Sequence, residues 1–383
     1  MSGRRQSVVL AAGGTGGHLF PAESLARELM GRGYHLVLVT DRRGAGFEGP
    51  LGELETHRVH AAGLGGHGVA RKAVAFARLG LGTVEAVRLM RRLGPAAAVG
   101  FGGYASVPTM LAASLYGAAS VIHEQNAVLG RANRLLAPRA DKIATSFAEV
   151  THIAPAHRHK VIRTGNPVRA AIAALGDVPY PTLVADGPLS LLVIGGSQGA
   201  HVFSTVVPAA IAALPARLRA RLRVTQQCRE RTLAETRAAY DAIGVEAELA
   251  PFFPDVPERL AGAQLLICRA GASTLAEITT AGRPAVIAPY PFATDKHQTV
   301  NARALADAGG AWVMPNASFT AEALAQRLES LLTHPQQLAA AARAARALGE
   351  PDAAQRLADV VTGLIPAGGN RVDAPPVSRE AAA

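Results

Sequence analysis

The sequence predicts two α/β domains, each a parallel β-sheet covered by helices, joined near residue 166. Three observations predict it. The stretch SVVLAAGGTGGHLFPA, an apolar strand running through a glycine loop into a helix start, recurs in the second half as LSLLVIGGSQGAHVFS. Strand-like and helix-like patterns alternate through both halves, as βα units require. At 383 residues and 49% hydrophobic composition the chain is long enough for two cores, and only 18% of it is charged. That balance argues against disorder over most of the length.

Taken in order, the first half reads as a strand at VVLAA, a helix starting at Pro21, a strand at LVLVTD and a helix within residues 70–93. Proline is favoured at a first helical position, which sets the expected start at Pro21. The strand AAVGF, a helix over 108–116, the strand SVIHE, a helix near 130–137 and the strand KIATS follow. Pro167 breaks the strand before it, so the link between halves is placed at TGNPVRAAI. The second half continues through RVTQQC, a strand near 246–250, LLICRA, a helix from Ser273, AVIAPY, a helix from about His297, WVMP and a helix from Thr320. Two Ala/Arg-rich helices close the periodic part. The expected organisation is a domain over 1–166, a second over 167–350, a helix at 351–365 packing back on the first domain, and a disordered tail at 366–383. Two such domains face ligands with the C-terminal edges of their sheets, so a cleft between them is the expected site.

Charge narrows the partners. Residues 1–166 hold 20 Lys+Arg against 10 Asp+Glu, and residues 167–383 hold 19 against 19, so the formal +10 sits wholly in the first half. Such an excess fits an anionic membrane surface, a phosphorylated substrate or nucleic acid. Cys228 and Cys268 are too few for a disulfide framework or a CxxC metal site, and a reducing compartment is expected. The opening MSGRRQS is basic, but the apolar run after it stops at Gly13, so no secretory leader is expected. From Leu93 to His123 there is no Asp, Glu, Lys or Arg, yet GFGGY and Pro108 divide the stretch into strand, loop, helix and strand. A membrane span is not expected there.

Each motif has two readings. GGTGGH lacks the third glycine of GxGxxG, with Leu19 in its place, although Asp41 stands where a ribose-binding acid would in a nicotinamide enzyme. No Gly-Lys-Ser/Thr occurs, so a P-loop is excluded. What survives is anion binding by side-chain-free backbone N–H groups at a helix N-terminus, with His18 at the edge. His123-Glu124-Gln125-Asn126 is either a packed polar cluster or part of a pocket with GGTGGH and GFGGYAS at one sheet edge. CRAGASTLAE puts Ala272, Ser273 and Thr274 at a helix start; Ser273 with Glu277 is either a helix cap or a phosphate and sugar-hydroxyl site. Asp295, His297, Gln298 and Asn301 suit hydroxyl-rich ligands. The chain has no DxD triplet for a metal-bound diphosphate.

The set GGTGGH, GFGGYAS, HEQN, GNPVR, GGSQGA, CRAGASTLAE and TDKHQTVNA, in this order from about residue 8 to 365, closely resembles the MurG family of bacterial transferases. These add N-acetylglucosamine from UDP-N-acetylglucosamine to the lipid-linked muramyl-pentapeptide precursor of peptidoglycan. The resemblance implies a GT-B fold, inverting transfer, no cofactor, no obligatory metal, and peripheral association with the cytoplasmic face of the inner membrane; it implies no nucleic-acid partner. It assigns the donor to Thr15, Gly16, Gly17 and Asn126 from the first domain, and to Arg169, Ser197, Phe253, Ala272, Ser273, Thr274, Glu277 and Gln298 from the linker and second domain. Gly14, His18 and Tyr104 are expected at the acceptor, with His18 the general base and Glu124 next in line. Phe253 stands where the family often has an aliphatic residue. The segment 70–92, with Arg71, Lys72, Arg78, Arg88, Arg91 and Arg92 among Val, Phe and Leu, reads either as a lipid-facing surface or as an ordinary amphipathic helix. Another GT-B glycolipid transferase is the nearest alternative, and a nicotinamide-dependent oxidoreductase a more distant one.

Overall fold

A computed structural model describes residues 5–13, 16–41, 51–63, 69–181, 183–184, 187–196, 200–366 and 371–372. The chain forms two units: Met1–Gln125 with Leu129–Pro167 and Ala353–Ala383, and Asn126–Val128 with Val168–Asp352.

The first unit holds strands β1 (Arg5–Ala11), β2 (His35–Asp41), β3 (Glu55–Val59), β4 (Ala97–Gly100), β5 (Ala119–Glu124), β6 (Lys142–Thr145) and β7 (Val161–Arg163). They lie in the order β3-β2-β1-β4-β5-β6-β7, every neighbouring pair parallel. The chain steps outward from β1 through β2 to β3, then crosses back to β4 on the other side of β1, so the C-terminal end of β1 is a topological switch point. Alternation along β1 feeds both faces. Val9 and Ala11 join a core with Leu79, Met90 and Val107, whereas Val8, Leu10 and Ala12 join another with Leu25, Leu29 and Leu357. A strand buried on both sides has to be apolar throughout, which is why the run SVVLAA is unbroken. The helix Ala353–Gly363 belongs to this second core and is tied to the helix Gly16–Gly31 by Arg32 Nη1 to Asp359 Oδ1 at 2.6 Å. Arg371–Val372, inside the stretch expected to be a disordered tail, instead pairs antiparallel with Arg5 and Gln6 of β1.

Two helices of this unit begin five residues before the sequence places them. One starts at Gly16 with Pro21 inside it, and the other at Gly103 with Pro108 inside it. A proline within a helix gives up its own N–H bond and crowds the carbonyl four residues before it, yet neither helix breaks there. The glycines therefore form the first helical turn and carry its free N–H groups themselves. Gly102 and Gly103 enter the second helix at φ +85° and +69°, a region open to glycine without strain.

The second unit holds β8 (Leu189–Ile194), β9 (Leu222–Gln227), β10 (Glu246–Ala250), β11 (Leu265–Cys268), β12 (Ala285–Ile287) and β13 (Ala311–Val313), in the order β10-β9-β8-β11-β12-β13. All pairs are parallel, with the switch point between β8 and β11. Its core gathers Leu191, Val193, Phe203, Val207, Ile267, Val286 and Leu328. Fully buried Arg283 donates to the carbonyls of Leu260 and Ala281 at 2.7 and 2.6 Å, and Arg346 reaches the carbonyls of Gly176 and Ala281. Arg346 thus pins the segment after the linker to the carbonyl of Ala281, and Arg283 joins the ends at Leu260 and Ala281, both through backbone carbonyls.

Candidate active site

At the switch point of the first unit His18 is the third residue of the helix Gly16–Gly31, half-buried. Its ring lies on the GFGGY turn. A Cβ built on Gly102 would sit 3.4 Å from His18 Cε1, and one on Gly103 would sit 3.5 Å from Nε2. Glycine there meets the demand for positive φ, and a Cβ would add only ordinary van der Waals contact with the ring. Gly13, last before the loop, is held more tightly: a Cβ would come within 2.8 Å of Ala105 Cβ and 2.9 Å of Thr40 Oγ1.

His18 Nδ1 lies 3.2 Å from Gln125 Oε1. Gln125 Nε2 in turn lies 3.0 Å from both Phe101 O and His123 Nδ1, and His123 Nε2 lies 3.0 Å from Gly165 O. Both residues are buried, and desolvation pushes His123 down to about 4, against the smaller effect of its bond to Gly165 O. His123 and Gln125 are thus packed inside the unit, and through them one candidate site residue, His18, is tied to Phe101 O and Gly165 O.

Glu124, expected as the next candidate base, points elsewhere. Its Oε2 accepts from Gly130 N–H at 2.8 Å and from Asn133 Nδ2 at 2.9 Å, and the residue is 2% exposed. Strand alternation sends His123 and Gln125 to one side and Glu124 to the other, where it caps the helix Arg131–Leu136. Asn126, expected from the first domain, groups with the second unit instead. Buried Asn301 holds it there, donating to Asn126 Oδ1 at 3.0 Å and to Ala270 O at 3.1 Å, while accepting from Ala127 N–H at 2.8 Å. Tyr104 is half-buried at the start of the helix Gly103–Tyr116 and packs on the core. Gly16 and Gly17 form the first turn before His18; Gly14, Thr15 and Ser197 lie outside the described residues.

In the second unit the helix Ala272–Thr280 starts where β11 ends. Gly271 stands at its N-cap without a side-chain cap bond, and Ser273 Oγ is buried with no hydrogen-bond partner among the described residues. Ser273 is thus not a cap, and the capping-pair reading of CRAGASTLAE falls. Glu277 Oε1 accepts from Arg169 Nη2 at 3.1 Å. Burial raises the Glu277 pKa, and the charge and hydrogen bond of Arg169 oppose that rise. Arg169, from the linker, and Glu277 are brought together as one unit of charge balance. Asn166, also in GNPVR, has both amide atoms buried and unpartnered among the described residues.

Gln298 uses its Oε1 to accept from Ala270 N–H at 3.1 Å and Tyr290 N–H at 2.9 Å, which leaves its amide nitrogen for other partners. Before it, Asp295 and Lys296 take positive φ of 51° and 54°, and His297 Nδ1 meets Thr294 O at 2.7 Å. Strained non-glycine backbone of this kind gathers at functional turns. Phe253 is 5% exposed under the Arg259 guanidinium, 4.1 Å from its ring centroid, so its side chain faces the interior; the exposed aromatic beside it is Phe252. Sequence reasoning quoted HEQN without giving His123 or Gln125 a role. The period-2 alternation of an extended segment could have paired them.

Among the described residues no group of three or more His, Cys, Asp or Glu could hold a metal ion.

The comparisons with known proteins agree with one another over most of the chain. Models of the glycosyltransferase family 28 N-terminal and C-terminal domains match residues 8–145 and 190–357. The UDP-N-acetylglucosamine--N-acetylmuramyl-(pentapeptide) pyrophosphoryl-undecaprenol N-acetylglucosamine transferase of Paramagnetospirillum magneticum is 57% identical over 366 residues, covering 96% of this chain and 99% of its own. The transferase of the same name from Rhodospirillum centenum is 58% identical over 364 residues, covering 95% and 96%. The crystal structure of Acinetobacter baumannii MurG superposes with a TM-score of 0.76 at 31% identity, covering 94% of this chain and 99% of that one. The two parallel sheets are the Rossmann-like domains of a GT-B fold, and the chain belongs to glycosyltransferase family 28, in its MurG branch.

Proposed function

We propose that this glycosyltransferase moves N-acetylglucosamine from UDP-N-acetylglucosamine to the 4-hydroxyl of an undecaprenyl-diphospho-N-acetylmuramoyl-pentapeptide, with inversion. The near full-length match to transferases of that name carries the reading. The first unit supplies acceptor chemistry. His18 takes the hydroxyl proton as the oxygen attacks the anomeric carbon from the face opposite UDP; a base with a pKa near working pH does this best. Tyr104 and Gly14 are the residues assigned to acceptor binding.

The second unit supplies donor chemistry. As the bond from the anomeric carbon to the diphosphate oxygen breaks, its electron pair stays on UDP. The N–H groups at the start of Ala272–Thr280 and the loop at Ser197 meet that charge, with Arg169 adding a cation. Glu277, its charge balanced by Arg169, accepts from sugar hydroxyls. Thr15, Gly16, Gly17, Asn126, Phe253 through its backbone, Ala272, Ser273, Thr274 and Gln298 complete the donor contacts.

The chain works at an anionic membrane surface, on the cytoplasmic side of the bacterial inner membrane. No described helix is long and apolar enough to cross a membrane. The helix Val69–Leu93 exposes Val74, Phe76, Leu81 and Val84 together with Arg78, Arg88, Arg91 and Arg92. Apolar side chains flanked by arginines fit lipid tails and headgroups in turn. The side chains of Arg71 and Lys72 lie outside the described residues. Charge reversal at Arg78 and Arg88 is expected to abolish sedimentation with anionic liposomes; unchanged sedimentation removes the membrane role of this helix.

The test of the reaction is UDP release from UDP-N-acetylglucosamine with and without a short-chain lipid-linked muramyl-pentapeptide. Release that depends on this acceptor is expected. Release that depends instead on a diacylglycerol acceptor would reassign the chain to another glycolipid transfer.

A further inference from the structure

We propose that Gln125 is a positioning residue that sets the tautomer of His18, holding the ring proton on Nδ1 and leaving the lone pair on Nε2. The inference rests on the reading of His18 as the base and deepens it.

The orientation of the Gln125 amide follows from its neighbours. Its Nε2 lies 3.0 Å from Phe101 O and 3.2 Å from His123 O. Carbonyl oxygens only accept, so the amide nitrogen has to stand there and the oxygen has to face His18. An amide oxygen also only accepts. The 3.2 Å contact from Gln125 Oε1 to His18 Nδ1 is therefore a bond that Nδ1–H donates. In a neutral imidazole the other nitrogen then carries no proton.

His123 completes a one-way chain. Its Nε2–H donates to Gly165 O at 3.0 Å, and its Nδ1, 3.0 Å from Gln125 Nε2, shares one of the two amide hydrogens with His123 O, the other going to Phe101 O. Protonation of Nδ1 would set a donor against a donor. Full burial and the neighbouring His18 both work against that protonation. The other ionisable group of HEQN, Glu124, is turned to Gly130 and Asn133. The chain thus runs His18 to Gln125 to His123 to Gly165, each step with a fixed donor. At the far end the neighbour of His18 Nε2 on the GFGGY turn is Gly103, where a Cβ would lie 3.5 Å from that nitrogen. When Nε2 takes the hydroxyl proton, the imidazolium that forms still donates through Nδ1 to Gln125, so no bond in the chain has to turn over.

The first measurement needs no variant. In protein labelled with ¹⁵N-histidine, long-range ¹H–¹⁵N correlation is expected to show neutral His18 protonated at Nδ1 and bare at Nε2; the opposite tautomer overturns the proposal. Gln125→Leu removes the acceptor. It is expected to mix the tautomers and lower kcat on the order of 10- to 100-fold, with KM for UDP-N-acetylglucosamine unchanged. Gln125→Glu keeps an acceptor and adds negative charge, which stabilises the imidazolium. The acidic limb of its kcat/KM profile is expected to move to higher pH by about 1. A merely structural role would lower the yield of folded enzyme without moving that limb. A His18→Ala variant that turns over normally would defeat the base reading while leaving the tautomer result standing; a wild-type tautomer and pH profile in Gln125→Leu would defeat this proposal alone.

Discussion

In the first unit β1 hands the chain to a helix whose third residue, His18, meets an amide and, through it, a second histidine. In the second unit β11 hands it to the helix Ala272–Thr280, where Glu277 meets Arg169. The strand order around the two switch points is the same, and the groups placed there differ in kind. One end carries a neutral, directional hydrogen-bond chain suited to holding a proton on one atom. The other carries the free N–H groups at the start of the helix Ala272–Thr280 and, one turn further in, a part-buried Arg169–Glu277 ion pair, suited to an anion and hydroxyls. The sheet order fixes where chemistry is placed, and a few side chains decide which chemistry.

The sharpest way to break this comparison is to remove the central group of each end. His18→Ala is expected to lower kcat about 10²- to 10⁴-fold, the range of general base catalysis, with donor affinity nearly unchanged. Glu277→Ala is expected to do the reverse and raise the Kd for UDP-N-acetylglucosamine about 10-fold or more. Steady-state kinetics and calorimetry on both variants decide it; a binding defect in the first or a pure kcat defect in the second erases the division.

Next in size is stability. Because burial holds His123 at about 4 against about 6.5 in an unfolded chain, the neutral ring's contribution is complete above pH 6.5 and is lost as pH falls towards 4. Urea unfolding is expected to show a loss of up to roughly 3 kcal/mol over that window, reduced in His123→Phe. Asn301→Ala in the second unit deletes three hydrogen bonds of a fully buried side chain and is expected to cost about 3 kcal/mol with no comparable acid dependence. The smallest effect is set by Arg169→Ala. Losing the cation lets the Glu277 pKa climb further, so donor affinity is expected to fall about fivefold and to depend on pH more than in wild type. Titrations at pH 6 and 8 check it.

Much of the fold is written in local pattern. SVVLAA and LSLLVI are apolar throughout because strands buried on both faces must be, and both were legible as the first strands of parallel sheets. β3 was not, because Glu55–Val59 is an edge strand with mostly exposed polar side chains and carries no apolar run. Helix starts were misplaced for a different reason. Pro21 and Pro108 carry the usual first-turn signal, but the glycines before them are already helical, and only the packed backbone shows that. For the site, Arg169 and Glu277 were each singled out, while their contact joins residues 108 apart in sequence.

The sequence by itself determined the α/β class, the repeated glycine loops at the first strands and the residues that carry the family resemblance. Those are properties of spacing and side-chain type within a dozen residues. Only the tertiary structure decided that Glu124 turns to cap a helix, that Asn301 holds Asn126 to the second unit, and that Gln125 links His18 to His123. A hydrogen bond depends on where two strand ends arrive, and that position is set by the packing of the whole sheet rather than by any stretch of chain.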